Sequence, residues 1–222
     1  MALARKLLGY FQCLVSGWEC TDQRRLRHRV PENRLRSYDM WSVIETLADT
    51  GSATQLRAQF AGDMLTVQIR IEGRSLDVIA NDPRILGGAI DAAAADKAAR
   101  FLQLCDAFDL PVLSLCDTPG FMVGPETEKT AHVRHSSRLF AVAVNASTPL
   151  FCLVLRKGYG LGAMAMTGGS FHAPSFIASW PTGEFGGMGS EGAVPLAYRD
   201  ELEKLEDLHE RKALFDKLVN DY

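Results

Sequence analysis

The chain has 222 residues, of which 47 % are hydrophobic and 23 % charged, and its formal net charge is −3. That length holds one domain with a sizeable core or two small ones, and the charge balance gives no reason to expect a nucleic acid or an anionic membrane surface as partner. No apolar run approaches the ~18 residues needed to cross a bilayer; the early Arg5 and Lys6 are followed by no long apolar stretch, which argues against a secretory signal.

Leu3, Leu7, Leu8, Phe11 and Leu14 carry helical spacing. Residues 15–38 change character, with Arg24, Arg25, Arg27, His28, Arg29, Arg34 and Arg36 around Pro31, which breaks any helix there. A solvated linker is expected, or arginines that meet a phosphate or an acidic partner. From Asp39, the apolar positions Met40, Val43, Ile44 and Leu47 give one helical face, with Gly51 as its stop. Met64–Ile71 reads as a strand, and Glu72-Gly73-Arg74 turns it into a second strand over 76–80. A helix is expected over 91–108, with Leu102, Cys105 and Phe108 on its buried face. Pro111–Cys116 is mostly apolar, as a strand covered on both faces must be. The turn Asp117-Thr118-Pro119-Gly120-Phe121 follows, then a long helix over 126–146. Leu150–Leu155 is another apolar strand, ending in a glycine-rich loop over 158–162. Phe176–Trp180 makes one more strand, and 200–219 a charged amphipathic helix.

Strand, helix, strand, helix, strand predicts a mostly parallel α/β sheet with helical crossovers. Ligands in such sheets gather at the carboxyl ends of strands. Two strand ends here run into glycine turns that open helices: Cys116 into 117–121, and Leu155 into Arg156-Lys157-Gly158-Tyr159-Gly160-Leu161-Gly162-Ala163. A helix start leaves its first amides without internal partners, and glycine lets a ligand approach them closely. Such amides can hold a developing oxyanion. Gly183, Gly186, Gly187, Gly189 and Gly192 mark a further constrained segment at a helix entrance.

Other chemistries lack their signatures. No G-x-S-x-G elbow or P-loop is present, and Gly158, Gly160 and Ala163 match only the loose dinucleotide fingerprint. The pair His132 and His135 lacks an H-E-x-x-H context and reads as a solvated helix face. Five cysteines, Cys13, Cys20, Cys105, Cys116 and Cys152, form no C-x-x-C pair. The last three lie in apolar stretches and read as buried thiols of a reducing, cytoplasmic compartment.

Asn81-x-Pro83, Gly88-Ala89-Ile90-Asp91, Asp96-Lys97-Ala98-Ala99-Arg100-Phe101, Cys105-Asp106-Ala107-Phe108, Asp117-x-Pro119-Gly120-Phe121 and Arg156-Lys157-x-Tyr159-Gly160 form an ordered set. With Trp180-Pro181-Thr182 and Met188-Gly189-x-Glu191-Gly192-Ala193-Val194, this set resembles the C-terminal domain of the carboxyltransferase subunits of biotin-dependent acyl-CoA carboxylases. Ser179 departs from the alanine expected before the tryptophan. The resemblance implies a crotonase-like spiral of ββα units. It divides the chain into an N-terminal helix and interdomain linker (1–38) and the carboxyltransferase C-terminal domain (39–222), without the family's terminal segment. It implies biotin, held on a separate carrier protein, as cofactor and an acyl-CoA as substrate. The partners would be the carboxyltransferase N-terminal domain, the biotin carboxyl carrier protein, biotin carboxylase and further copies of the chain.

By the same resemblance, the Leu161 and Gly162 backbone amides form the oxyanion hole. Gly120, Phe121, Tyr159 and Gly160 line the cofactor, and Met164 contacts the substrate; no metal is involved. Leu161 stands where many relatives have glycine, which changes the pocket wall but keeps the N–H. Met164 is bulky and apolar, unlike the acidic residue of some propionyl enzymes. Three other readings stay open: a biotin-dependent decarboxylase subunit, a non-catalytic assembly module, and a hydratase drawing on Glu126, Glu128, Glu184 or Glu191.

Overall fold

The computed structural model describes residues 1–12, 14–33, 36–205 and 207–221; Cys13 and Arg34 lie outside the described residues. Among these residues seven strands form one sheet: β1 (Thr54–Leu56), β2 (Met64–Ile71), β3 (Arg74–Asn81), β4 (Val112–Thr118), β5 (Leu150–Tyr159), β6 (Phe176–Ser179) and β7 (Glu184–Gly186). They run in the order β1-β2-β3-β4-β5-β6, with β7 on β5 beyond β6. The first three are antiparallel neighbours. Every pairing from β3 onward is parallel.

Helices cover both faces, as a parallel sheet requires. One face packs under α3 (Ala92–Ala107), α5 (His132–Asn145) and α6 (Gly160–Met166), burying Leu102, Cys105, Leu139 and Met166. The other packs under α2 (Met40–Leu47), where Met40, Val43 and Ile44 meet Val67, Val78, Leu115 and Leu155. All seven residues of β4 are buried between the two layers. Helix starts follow local chemistry: Asp39 caps α2 through the Trp41 amide, and Asp91 caps α3 through the Ala94 amide.

The N-terminal helix exists as α1 (Ala2–Tyr10), and its Tyr10 hydroxyl meets Thr54 Oγ1 at 2.9 Å. The segment over 15–38 is not the purely solvated linker its charge suggests. A 3₁₀ turn at Gln23–His28 buries Leu26, and Val30 and Tyr38 join the α2-side core. Arg24, Arg25, Arg27 and Arg36 stay exposed while Leu26, Val30 and Tyr38 turn inward.

Several expectations give way to local competition. The second helix ends at Leu47, with Ala48 extended, so Gly51 is not its stop. Asp49 instead turns its carboxylate onto the Glu72 and Gly73 amides of the β2–β3 turn. The long helix over 126–146 is two, α4 (Pro125–Glu128) and α5, parted by Ala131 at φ 54°. Thr130 hydrogen-bonds back to the Thr127 carbonyl at 2.7 Å, a local bond that competes with helix continuation. The tail is α8 (Arg199–Glu203) and α9 (Leu208–Asp221), the latter opened by Asp207, which caps the His209 and Glu210 amides. It follows α7 (Ser190–Ala197), the helix whose entrance the late glycines mark. Phe108 is 54 % exposed and stacks on Phe11 instead of extending the buried face of α3. The three-residue strands β1 and β7 are too short to carry a sequence period.

Asp77 on β3 is fully buried and accepts a hydrogen bond from Cys105 Sγ at 3.0 Å. Burial pushes its carboxyl up to about 6, outweighing the lowering by that bond. The unfolded chain titrates near ~3.9. The folded value is the higher one, so stability is greatest below pH ~4 and is lost as pH rises through about 6. Two units correspond to on the order of 3 kcal/mol. Asp77→Asn is expected to remove this slope, gaining on wild type between pH 4 and pH 7 in urea denaturation. Parallel stability curves for the two proteins would contradict it.

Candidate active site

The β4 exit and the β5–α6 junction lie side by side, because β4 and β5 are parallel neighbours. In the first turn Gly120 sits at φ 129° and its amide donates to Thr118 Oγ1 at 3.1 Å. A bridge between Ile90 and Phe121 ties this turn to the chain entering α3, with Ile90 N–H on the Gly120 carbonyl at 3.0 Å. The second turn is not a loop. Gly158 and Tyr159 belong to β5, and α6 starts at the next residue.

The two turns touch backbone to backbone. A Cβ on Gly162 would lie 2.7 Å from the Gly120 carbonyl carbon and Cα, and 3.1 Å from the Phe121 nitrogen. Only a residue without a side chain permits this approach. On the other side Gly160 stands against the Gly187 carbonyl, which brings the 186–189 segment over the start of α6.

Leu161 and Gly162 are the second and third residues of α6, so no carbonyl lies four residues back inside the helix for their amides. Tyr159 at the N-cap offers no side-chain cap. Among the described residues neither N–H donates to a side chain or to a carbonyl outside the helix. The Leu161 side chain is 62 % exposed beside them.

The other expected positions are placed as follows. Tyr159 is buried, its ring against Gly189 and its hydroxyl donated to Glu184. Phe121 is half-buried between the rings of His132 and Phe140. Met164 is half-buried one turn beyond Leu161, on the same side of α6. Glu126 is exposed and paired with Lys129, while Glu184 accepts from Tyr159. His132 is 4 % exposed, which corrects the solvated-face expectation; its Nε2 faces Ser136 Oγ at 3.2 Å. His135 does reach the surface side, pairing with Asp96. Cys105, Cys116 and Cys152 are free buried thiols, as expected; burial pushes Cys152 up to about 12, which keeps it protonated and inert. Among the described residues no cluster of potential metal ligands occurs.

Behind the turns lies a buried charge group that carried no assigned role in the sequence. Asp117, at the end of β4, is fully buried; its Oδ2 meets Arg156 Nε at 3.3 Å and its Oδ1 meets Lys157 Nζ at 3.6 Å. The Arg156 guanidinium covers the Tyr38 ring at 5.0 Å and donates to the Arg36 carbonyl at 2.6 Å. Burial, then the Asp117 charge, push the Tyr38 hydroxyl far above the phenol range. Burial lowers Lys157, with Asp117 opposing. An acid ending one apolar strand and two bases ending the next were the available signal.

The family description "Carboxyl transferase domain" matches residues 13–220. The chain belongs to the carboxyl transferase domain family. Among the curated members, the carboxyltransferase subunit of propionyl-CoA carboxylase from Haloferax mediterranei is 35 % identical over 197 residues, 89 % of this chain and 37 % of that protein. The methylmalonyl-CoA carboxyltransferase 12S subunit of Propionibacterium freudenreichii subsp. shermanii is 35 % identical over 182 residues, 82 % of this chain and 34 % of that one. A solved single-chain, multi-domain long-chain acyl-CoA carboxylase superposes with a TM-score of 0.92 at 52 % identity, over 99 % of this chain and 22 % of that one. The transcarboxylase 12S structure with methylmalonyl-CoA bound gives 0.85 at 30 % identity, over 100 % of this chain and 44 % of that one. The fold is thus the crotonase-like α/β fold of carboxyl transferase domains. The chain spans little more than a third of the length of these curated members.

Proposed function

We propose that this chain supplies the biotin-side half of a carboxyltransferase site that moves a carboxyl group between carboxybiotin and an acyl-CoA. The observation that carries the reading is the pair of unclaimed amides, Leu161 and Gly162, at the meeting point of two motif turns. Biotin supplies a ureido group that carries the carboxyl. The donor set fits it: two main-chain N–H groups from which, among the described residues, no side chain accepts, suited to a neutral carbonyl oxygen on which negative charge develops. Leu161 and Gly162 would hold that oxygen, Gly120 and Gly160 keep the approach open, and Phe121 and Tyr159 form the wall beneath. Met164, one turn along α6, would border the acyl group.

Residues 1–38 would lead in from the acyl-CoA-binding half, and 39–222 form the carboxyltransferase C-terminal domain. The solved transcarboxylase 12S is described as a hexamer and a multienzyme core, which supports a homo-oligomer; a separate biotin carrier and a biotin carboxylase would serve it. No helix among the described residues is long and apolar enough to cross a membrane, and the reduced buried thiols support a cytoplasmic site of action. A half-site of this kind would serve carboxylation or decarboxylation, with the surrounding assembly setting the direction.

The test is a transfer assay with free biotin and malonyl-CoA, on the chain alone and with a partner carrying the acyl-CoA-binding half. Transfer is expected only in the mixture. Turnover by the chain alone, or none with any partner, would reject the half-site reading.

A further inference from the structure

Asp117 stands at an irregularity in the sheet. Cys116 pairs with Val154 and Thr118 with Gly158, so β5 advances four residues while β4 advances two. Leu155-Arg156-Lys157 thus stand opposite the single residue Asp117, a surplus of two residues, and bulges of this kind re-aim side chains. Here the bulge brings both basic side chains onto Asp117. Where the ladder is interrupted, Asp117 Oδ1 accepts the Lys157 backbone N–H at 3.2 Å. A side chain thus replaces a ladder bond two residues before Tyr159 and α6.

The backbone of Asp117 and its two basic neighbours are held from other directions. Asn81 Oδ1 accepts the Asp117 amide at 3.3 Å. Lys157 Nζ donates to the Gly87 carbonyl, and Arg156 reaches the Arg36 carbonyl and the Tyr38 ring. Beyond the bulge Thr118 pairs with Gly158, and the turns that leave the two strands then meet at Gly120 and Gly162. A buried ion pair adds little net stability over an apolar pair of equal volume. What an apolar pair cannot do is accept the Lys157 N–H and fix the bulge.

We propose that Asp117, paired with Arg156 and supported by residues 36–38, is a positioning residue that sets the Leu161 and Gly162 amides against the Gly120 turn. The proposal rests on the half-site reading above. In the complete assembly with the acyl-CoA-binding half, the double variant Asp117→Leu/Arg156→Met replaces both charges by apolar volume and is expected to stay folded. Its kcat should fall on the order of 100-fold, the effect of a misplacement near 1 Å, with KM for the acyl-CoA changed by less than about threefold. Asp117→Asn keeps an acceptor for the Lys157 N–H and should retain more activity than the double variant. A folded double variant with wild-type kcat would overturn the proposal, as would equal losses in kcat from the two substitutions. Backbone amide resonances of Gly120 and Leu161 give a readout independent of turnover: they should move in the double variant or in Asp117→Asn, and unchanged positions in both would also overturn it. A wild-type assembly without biotin-dependent transfer would instead count against the half-site reading.

Discussion

Leu161→Pro in the assembled enzyme is expected to lose on the order of 100-fold in carboxyl transfer, the cost of one oxyanion donor. The substitution is close to a single-atom change in effect. Leu161 lies in the first turn of α6, where proline is tolerated and its missing N–H breaks no helical bond. Its side chain points largely into solvent, at 62 % exposure, so the ring meets little protein. What disappears is one donor at the proposed hole. Leu161→Ala keeps the N–H and discards only the exposed leucine, and should retain activity within about threefold. The same comparison at Gly162 would be confounded, because any Cβ there collides with Gly120. Equal losses in the proline and alanine variants, at matched melting temperatures, would argue that the amide does nothing.

Gly88→Ala should carry a large stability cost. Gly88 adopts φ +87° and a Cβ there would stand 2.2 Å from the Asp117 carbonyl oxygen. Left-handed backbone costs an L-residue about 1–2 kcal/mol, and forcing atoms into a packed interior adds about 1–3 kcal/mol. The obstacle is backbone of a buried strand, which cannot swing aside as a side-chain tip would. A loss of about 2–5 kcal/mol in chemical denaturation is expected from these two contributions. Gly51→Ala separates them: Gly51 has φ +70° with nothing within 4 Å, so it should lose only the backbone share. Similar losses at both positions would show that the close approach to Asp117 is not what makes Gly88 necessary.

The sheet was readable because its central strands are extreme. Val112–Thr118 is apolar but for Ser114, Asp117 and Thr118, and Met64–Ile71 is bounded by a two-residue turn with positive φ at Glu72 and Gly73. Asp91 announced α3, and the glycine turns announced where the strands deliver their ends. Features set by tertiary competition were not readable. Asp49 takes the β2–β3 turn amides from across the fold, which no local pattern at Gly51 reveals. His132 looks polar in sequence but is drawn inward against Phe121, and Phe108 looks apolar but finds its partner in Phe11. The Asp117–Arg156 pair depends on a bulge, and a bulge is a property of two strands together. The site residues themselves came through resemblance, since a backbone amide has no side-chain signature.

The most direct measurement is of the amides themselves. Titrating d-biotin into the isotopically labelled chain should shift the Leu161 and Gly162 backbone amide resonances saturably, with smaller changes at Gly120 and Gly160. Saturable shifts that cluster elsewhere and leave Leu161 and Gly162 unmoved would contradict the assignment of these two donors to the ureido oxygen.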